Sequence, residues 1–223
     1  ARGWLRQRRV GHTGTLDPLA TGLMVLCLGY ATRLSEYLLE QTKEYCAVIR
    51  LGQTTDSYDA DGEVTSTNPV NIDLAEVTDA LHQFRGEIYQ IPPVFSAIKL
   101  SGHRAYKLAR EGKTVRMRAR SVRIEKLYDI DFNAPDVTIK LSCSAGTYVR
   151  SLAHDLGQIL GCGAYLMALR RTAVGKFSIR QAHTPKELES AFLSGQGERH
   201  VLSPGEALSD WPEITVRGEH VRH

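Results

Sequence analysis

Cysteine pairs, long apolar runs, internal repeats and a dominant charge are all missing from this 223-residue chain. The four cysteines (Cys27, Cys46, Cys143 and Cys162) form no C-x-x-C unit. They read as buried free thiols in a reducing compartment, not as a disulfide framework or a zinc site. No apolar run approaches the ~18 residues of a membrane-spanning helix. No secretory signal is visible, so the expected location is the cytoplasm and no membrane partner is expected. The first residue is Ala1, not Met, and an upstream segment is expected to be missing. Charge is nearly balanced, with 28 Lys and Arg against 25 Asp and Glu, a net +3 and a pI near 8.7. Such a balance permits a polyanionic partner without demanding one. At 42% hydrophobic and 24% charged, the length suits one large globular domain, or one plus a small appendage.

Acid is locally scarce in two places. Gly11 to Gly22 reads GHTGTLDPLATG, with Asp17 as its one carboxylate. Gly11 and Gly14 permit turns that side chains would block, and Pro18 biases Asp17 away from helical geometry. The apolar run Leu23 to Leu28 follows and is expected to be a buried strand. From the residues alone, Asp17 is either an Asx-turn former or a reactive group held on a stiff loop by a scaffold. Pro93 to Arg120 carries nine basic residues (Lys99, His103, Arg104, Lys107, Arg110, Lys113, Arg116, Arg118, Arg120) against one acid, Glu111. That stretch is either a solvated hairpin or a nucleic-acid contact. Arg2, Arg6, Arg8 and Arg9 open the chain, as a solvated helix face or a phosphate-contacting patch.

Periodicity sketches the rest. A short helix is expected over Ala31 to Glu40 and a strand over Lys43 to Leu51. The loop Gly52 to Gly62 holds Asp56, Asp59 and Asp61, but it lacks the downstream glutamate and helix pair of a calcium loop, so no metal is expected. Asp73 to Phe84 reads as an amphipathic helix, with Asp73 as cap and Glu76 in capping-box position. Strands follow over Gly86 to Ile91, Ser121 to Phe132 and Val137 to Ser144, with a helix over His103 to Glu111 between the first two. A helix opens at Gly146 to Arg150, a long strand covers Tyr165 to Phe177, and Thr184-Pro185-Lys186-Glu187 starts a last helix. The sum is an α+β domain with a mixed, mainly antiparallel central sheet flanked by helices.

GHTGTLDPLATG closely resembles the active-site motif of the TruB family of pseudouridine synthases, which modify uridine 55 in the T loop of tRNA. The resemblance extends over nearly all of Arg8 to Thr184. It implies the pseudouridine synthase fold, with an inserted RNA-gripping thumb at 93–121, a catalytic domain over 1–202, and 203–223 as a linker and the start of a truncated PUA-like domain. Trp211 to Val216 looks like that domain's first strand. Asp17 is implied as nucleophile. Arg150, in Gly146-Thr147-Tyr148-Val149-Arg150, is implied as its ion-pair partner. Tyr45, in Lys43-Glu44-Tyr45, is implied to stack on the target base and to abstract a sugar proton. Leu169 is the implied apolar wall opposite that ring, His12 helps displace T-loop nucleotides, and Asp59 supports the network around Tyr45 and Arg150. Lys99 and Arg171 are candidates for phosphate contact. The reaction is an isomerisation, so no cofactor and no metal are expected; the partner is the tRNA T stem-loop and the chain is expected to be a monomer. A closed pocket would protonate Asp17 unless a cation offset its desolvation. One departure is the absence of the family's upstream Lys-Pro-x-Gly strand. Two rivals remain: a non-catalytic RNA-binding module, and a carboxylate glycosidase with Asp59 as second acid.

Overall fold

The structure is a computed structural model that describes residues 2–5, 7–100 and 102–214; Arg6, Thr215 and Val216 lie outside the described residues. In chain order the elements are α1 (Arg2–Leu5), β1 (Val10–His12), β2 (Thr21–Gly22), β3 (Leu26–Leu28), α2 (Ser35–Leu39), β4 (Lys43–Leu51), β5 (Gln53–Thr55), β6 (Val64–Thr67), α3 (Leu74–His82), β7 (Gly86–Gln90), β8 (Lys99–Leu100), β9 (His103–Arg104) and α4 (Ala105–Arg110). They continue with β10 (Arg120–Asn133), β11 (Asp136–Cys143), α5 (Val149–Ile159), β12 (Ala164–Val174), β13 (Phe177–Ser178), α6 (Pro185–Leu193) and α7 (Pro204–Ala207).

A seven-stranded sheet runs β13-β12-β4-β11-β10-β7, with β2 added in parallel beside β12 and the other pairings antiparallel. This is the mixed, mainly antiparallel sheet expected. Period-2 alternation drives it: Val137, Ile139, Leu141 and Cys143 of β11 are fully buried on one face, against Ile49 and Leu51 of β4. α3 and α5 cover that face through Val77, Leu81, Leu152 and Leu156, each such burial being worth ~1.5–3 kcal/mol. The capping boxes at Asp73/Glu76 and Thr184/Glu187 form as the sequence predicts. At Gly157 a Cβ would lie 2.0 Å from the Ala164 nitrogen. The glycine therefore lets α5 press directly onto the start of β12.

Several expected boundaries are corrected. The run Leu23 to Leu28 is not a buried strand. Only Leu26–Leu28 is extended, paired with β1 in a two-stranded ribbon. One face of that ribbon is open, so Leu23 and Cys27 are buried while Met24 and Leu26 are exposed. Ala31 to Glu40 begins as a 3-10 turn, Gly29–Leu34, before α2. The helix expected from His103 starts at Ala105, because His103–Arg104 pairs with Lys99–Leu100 as a small hairpin. The strand expected to reach Phe177 breaks at Gly175, whose φ is +51°, and resumes antiparallel as β13. No strand forms at Trp211 to Ile214. Trp211 instead packs edge-on against Tyr37 with ring centroids 5.7 Å apart, and Lys176 reaches Ser209 at 2.7 Å.

Candidate active site

The Asp17 loop is clamped at both ends by one side chain. Arg171 of β12 donates from Nε to the Leu23 carbonyl (2.7 Å) and from Nη2 to the Gly14 carbonyl (3.1 Å). Inside the clamp, the Ala20 N–H donates to the Asp17 carbonyl (2.9 Å), closing a turn around Pro18. β2 runs beside Arg170 and Arg171. A Cβ on Gly22 would lie 2.2 Å from the Arg171 carbonyl oxygen, and its φ of +102° is a glycine conformation. Only glycine allows this loop to lie so close to the strand.

Arg150 sits one residue into α5. The helix start is fixed from β7, because buried Gln90 accepts the Tyr148 N–H at 2.8 Å and Ser151 Oγ donates to the Ile91 carbonyl at 2.7 Å. From there the guanidinium faces Asp17. Nη2 donates to Oδ1 (2.8 Å) and Nε to Oδ2 (3.1 Å), a bidentate pair. Nη2 also reaches the Phe95 carbonyl (3.0 Å), at the base of the basic insertion. Nη1 reaches the Ser57 carbonyl (3.2 Å) and Asp59 Oδ2 (3.3 Å). The guanidinium thus makes four hydrogen bonds and a further ion pair. The Arg150 and Asp59 side chains are each only 4% exposed, whereas Asp17 is 27% exposed. Asp17 is therefore the carboxylate that faces the cavity. Burial raises the Asp59 carboxyl above its ordinary range, opposed by the Ser57 hydroxyl and then by Arg150.

The cavity is about 470 Å³ and is lined by Asp17, Tyr45, Leu169, Arg171, Lys43 and Tyr148 among others. Tyr45 lies directly opposite Arg171 in the β4–β12 pairing, and Leu169 lies opposite Ala47. One sheet face therefore presents the ring and the leucine together. Burial pushes the Tyr45 phenol up to about 12, with Arg171 pulling the other way. A phenol there is protonated at neutral pH, and its ring lines the cavity together with Leu169.

The predicted residues divide. Asp17, Tyr45, Arg150, Leu169 and Asp59 converge. His12 is exposed at the foot of the loop, where Nδ1 accepts from the Gly14 N–H at 3.4 Å, and it does not line the cavity. Lys99 is exposed on β8, directly after the cavity-lining Ala97 and Ile98. Arg171 is 1% exposed, and with Nε and Nη2 on loop carbonyls it anchors the Asp17 loop. The sequence reading missed Lys43, Tyr148 and the Ser57 and Phe95 carbonyls. Lys43 is buried on the cavity wall and donates to the Leu39 and Gln41 carbonyls. Burial, reinforced by Arg171, pulls its ammonium below the ordinary lysine range. Lys43 and Tyr148 sit inside strings already singled out; the two carbonyls carry no side-chain signal at all.

The family described as TruB family pseudouridylate synthase (N terminal domain) matches residues 2–149, and the tRNA pseudouridylate synthase B C-terminal domain matches residues 150–209. The boundary falls inside α5, and the strand after it pairs with β4 of the first region. The chain is similar to tRNA pseudouridine synthase B of Pseudomonas putida (strain GB-1), 45% identical over 98% of this chain and 72% of that protein. The protein of the same name from Haemophilus influenzae is 42% identical over 95% of this chain and 69% of its own length. Among solved structures, a chain of "Crystal Structure of a Cbf5-Nop10-Gar1 Complex" matches with TM-score 0.68 and 28% identity, covering 89% of this chain and 50% of that one. A chain of "Structure of H/ACA RNP bound to a substrate RNA containing 2'-deoxyuridine" matches with TM-score 0.64 and 26% identity, covering 88% and 49%.

Proposed function

The chain belongs to the TruB family of pseudouridylate synthases, and on that premise we propose that it isomerises uridine 55 in the T loop of tRNA to pseudouridine, with Asp17 as the nucleophile. The N1–C1′ bond breaks, the detached base turns, and a C5–C1′ bond forms. C5 gives up its proton and N1 takes one, so the balance needs no oxidant, reductant or metal. The target nucleotide leaves the T-loop stack and enters the cavity, where the Tyr45 ring and Leu169 enclose its base and offset part of the unstacking cost. Arg150 aims Asp17 through the bidentate pair. Asp59 and the Ser57 carbonyl hold the far edge of the guanidinium.

The observation that carries this reading is the bidentate Arg150–Asp17 pair at the wall of a cavity that also holds Tyr45 and Leu169. The insertion at 93–121 is assigned as the thumb on the T stem, with Lys99 on phosphate and His12 displacing loop nucleotides. Residues 1–202 are taken as the catalytic domain and 203–223 as a linker and the start of a PUA-like domain. The chain acts as a monomer in the cytoplasm; its four free cysteines suit that compartment. No helix among the described residues is long and apolar enough to cross a membrane. The deciding experiment incubates the chain with a T stem-loop RNA and measures pseudouridine at the target position. Asp17→Ala is expected to abolish product while the fold persists; full activity in that variant overturns the assignment.

A further inference from the structure

Tyr58 and His154 form the tightest ring pair outside the cavity, and neither lines it. Their centroids are 3.9 Å apart and the planes differ by 11°, a face-to-face stack. Tyr58 belongs to the loop after β5, immediately between Ser57 and Asp59, the two residues that hold the Nη1 edge of Arg150. His154 lies four residues after Arg150 in α5, one turn along the same helix face. The stack therefore ties the loop that supplies the acceptors to the helix that supplies the guanidinium.

The backbone at Tyr58 makes this more than incidental contact. Its φ is +65°, the left-handed region that a bulky residue seldom occupies. Such a conformation persists when the surroundings over-determine it, and it concentrates at sites where position matters. Two bonds to β12 fix the loop further: the Leu166 N–H donates to the Tyr58 carbonyl (2.9 Å) and the Ala60 N–H to the Leu166 carbonyl (3.0 Å). Between them Asp59 bridges Leu166 in parallel. Ser57 Oγ donates to Asp59 Oδ1 at 2.5 Å. The Tyr58 ring on His154 adds a side-chain contact from this segment to α5.

We infer that Tyr58, clamped on His154, is a positioning residue for Asp17, acting through Ser57, Asp59 and Arg150. With the Nη1 edge held, the guanidinium cannot swing, and its Nε and Nη2 hydrogens stay aligned with the two oxygens of Asp17. Without the clamp the Nη1 acceptors drift and the bidentate alignment loosens. This inference rests on the proposed nucleophilic role of Asp17.

The test uses the whole chain and a T stem-loop RNA, with kcat and KM measured for four variants. Tyr58→Gly removes the ring and also relieves the left-handed strain, so folding is spared while positioning is lost. The expected result is a kcat lower by about ten- to a hundredfold, the scale of an ångström misplacement, with KM within about twofold. Tyr58→Phe keeps the stack and should keep kcat within about twofold. His154→Ala should resemble Tyr58→Gly, and the double variant should lose no more than either alone, since both remove one clamp. If Tyr58→Gly fails to fold, Tyr58→Asn, which also tolerates the left-handed region, takes its place. Unchanged kcat in Tyr58→Gly or Tyr58→Asn, or a Tyr58→Phe loss as large as theirs, overturns the positioning role. Absence of pseudouridine from the unsubstituted chain overturns the functional reading instead, and this one with it.

Discussion

Replacing Arg150 by lysine keeps the charge and removes the geometry, which makes it the sharpest probe of the site. Arg150 spreads four hydrogen bonds over Asp17 and the Ser57 and Phe95 carbonyls and adds an ion pair to Asp59. An ammonium has three hydrogens on one nitrogen, and from one point it cannot meet both Asp17 oxygens in parallel while reaching Asp59. The structure therefore predicts that one of the two Asp17 bonds is lost. A charge-assisted hydrogen bond contributes about 1.5–3 kcal/mol. If that contact aligns the nucleophile, the chemical step slows roughly 10- to 150-fold at about 1.4 kcal/mol per decade. Stability should fall by less, about 1–2 kcal/mol, because a cation still faces buried Asp59. Release of tritium from 5-tritiated uridine in the RNA, measured under single turnover, reports the step directly, since C5 must lose its hydrogen. Denaturant midpoints are measured alongside. A lysine variant within twofold of the parent rate would show that paired donors on Asp17 are not what the reaction uses.

Two further outcomes follow from the geometry. Lys99→Gln should reduce the salt dependence of RNA binding by about one unit of slope, the signature of a lost phosphate contact. Arg171→Gln should leave that slope unchanged and lower the denaturation midpoint, because Arg171 is buried on loop carbonyls; a slope change of similar size in both would restore Arg171 to the RNA surface. The second outcome concerns Asp59, whose folded carboxyl lies above its unfolded value, chiefly through burial. Such a group contributes stability that is fully present below the unfolded pKa and is lost as pH rises through the folded one. Against Asp59→Asn, which does not titrate, the parent should therefore lose relative stability as pH rises from about 4 towards neutrality. A flat difference, or one of opposite sign, in denaturation series across that range contradicts it.

Much of the site was legible because its signals are local. Asp17 stands alone as an acid among glycines, threonines and a proline, and the strings around Tyr45 and Arg150 are short and contiguous. The alternation of Val137, Ile139 and Leu141 and the capping boxes at Asp73 and Thr184 specify elements through period and side-chain chemistry within a few residues. Where local signal failed, a neighbour had overridden it. Leu23 to Leu28 is apolar throughout, yet it joins a two-stranded ribbon with an open face, and hydrophobicity alone does not say how many partners a strand will find. Arg171 reads as a cation for RNA, and nothing in its surrounding residues shows that it will be buried against Gly14 and Leu23.

By itself, then, the sequence determined most of the local elements, and the resemblance of its short strings to a family motif singled out the candidate residues they carry. Only the tertiary structure decided which carboxylate faces the cavity. Asp17 and Asp59 both bind Arg150, but they come from loops 42 residues apart (59 − 17). Their difference is burial, set by the β4–β12 pairing and the seating of α5 on β12. Desolvation and the aim of a guanidinium depend on what surrounds a group in space. The glycine, threonine and proline around Asp17 prepare its loop, and the packing of distant strands and a helix gives that loop its partner.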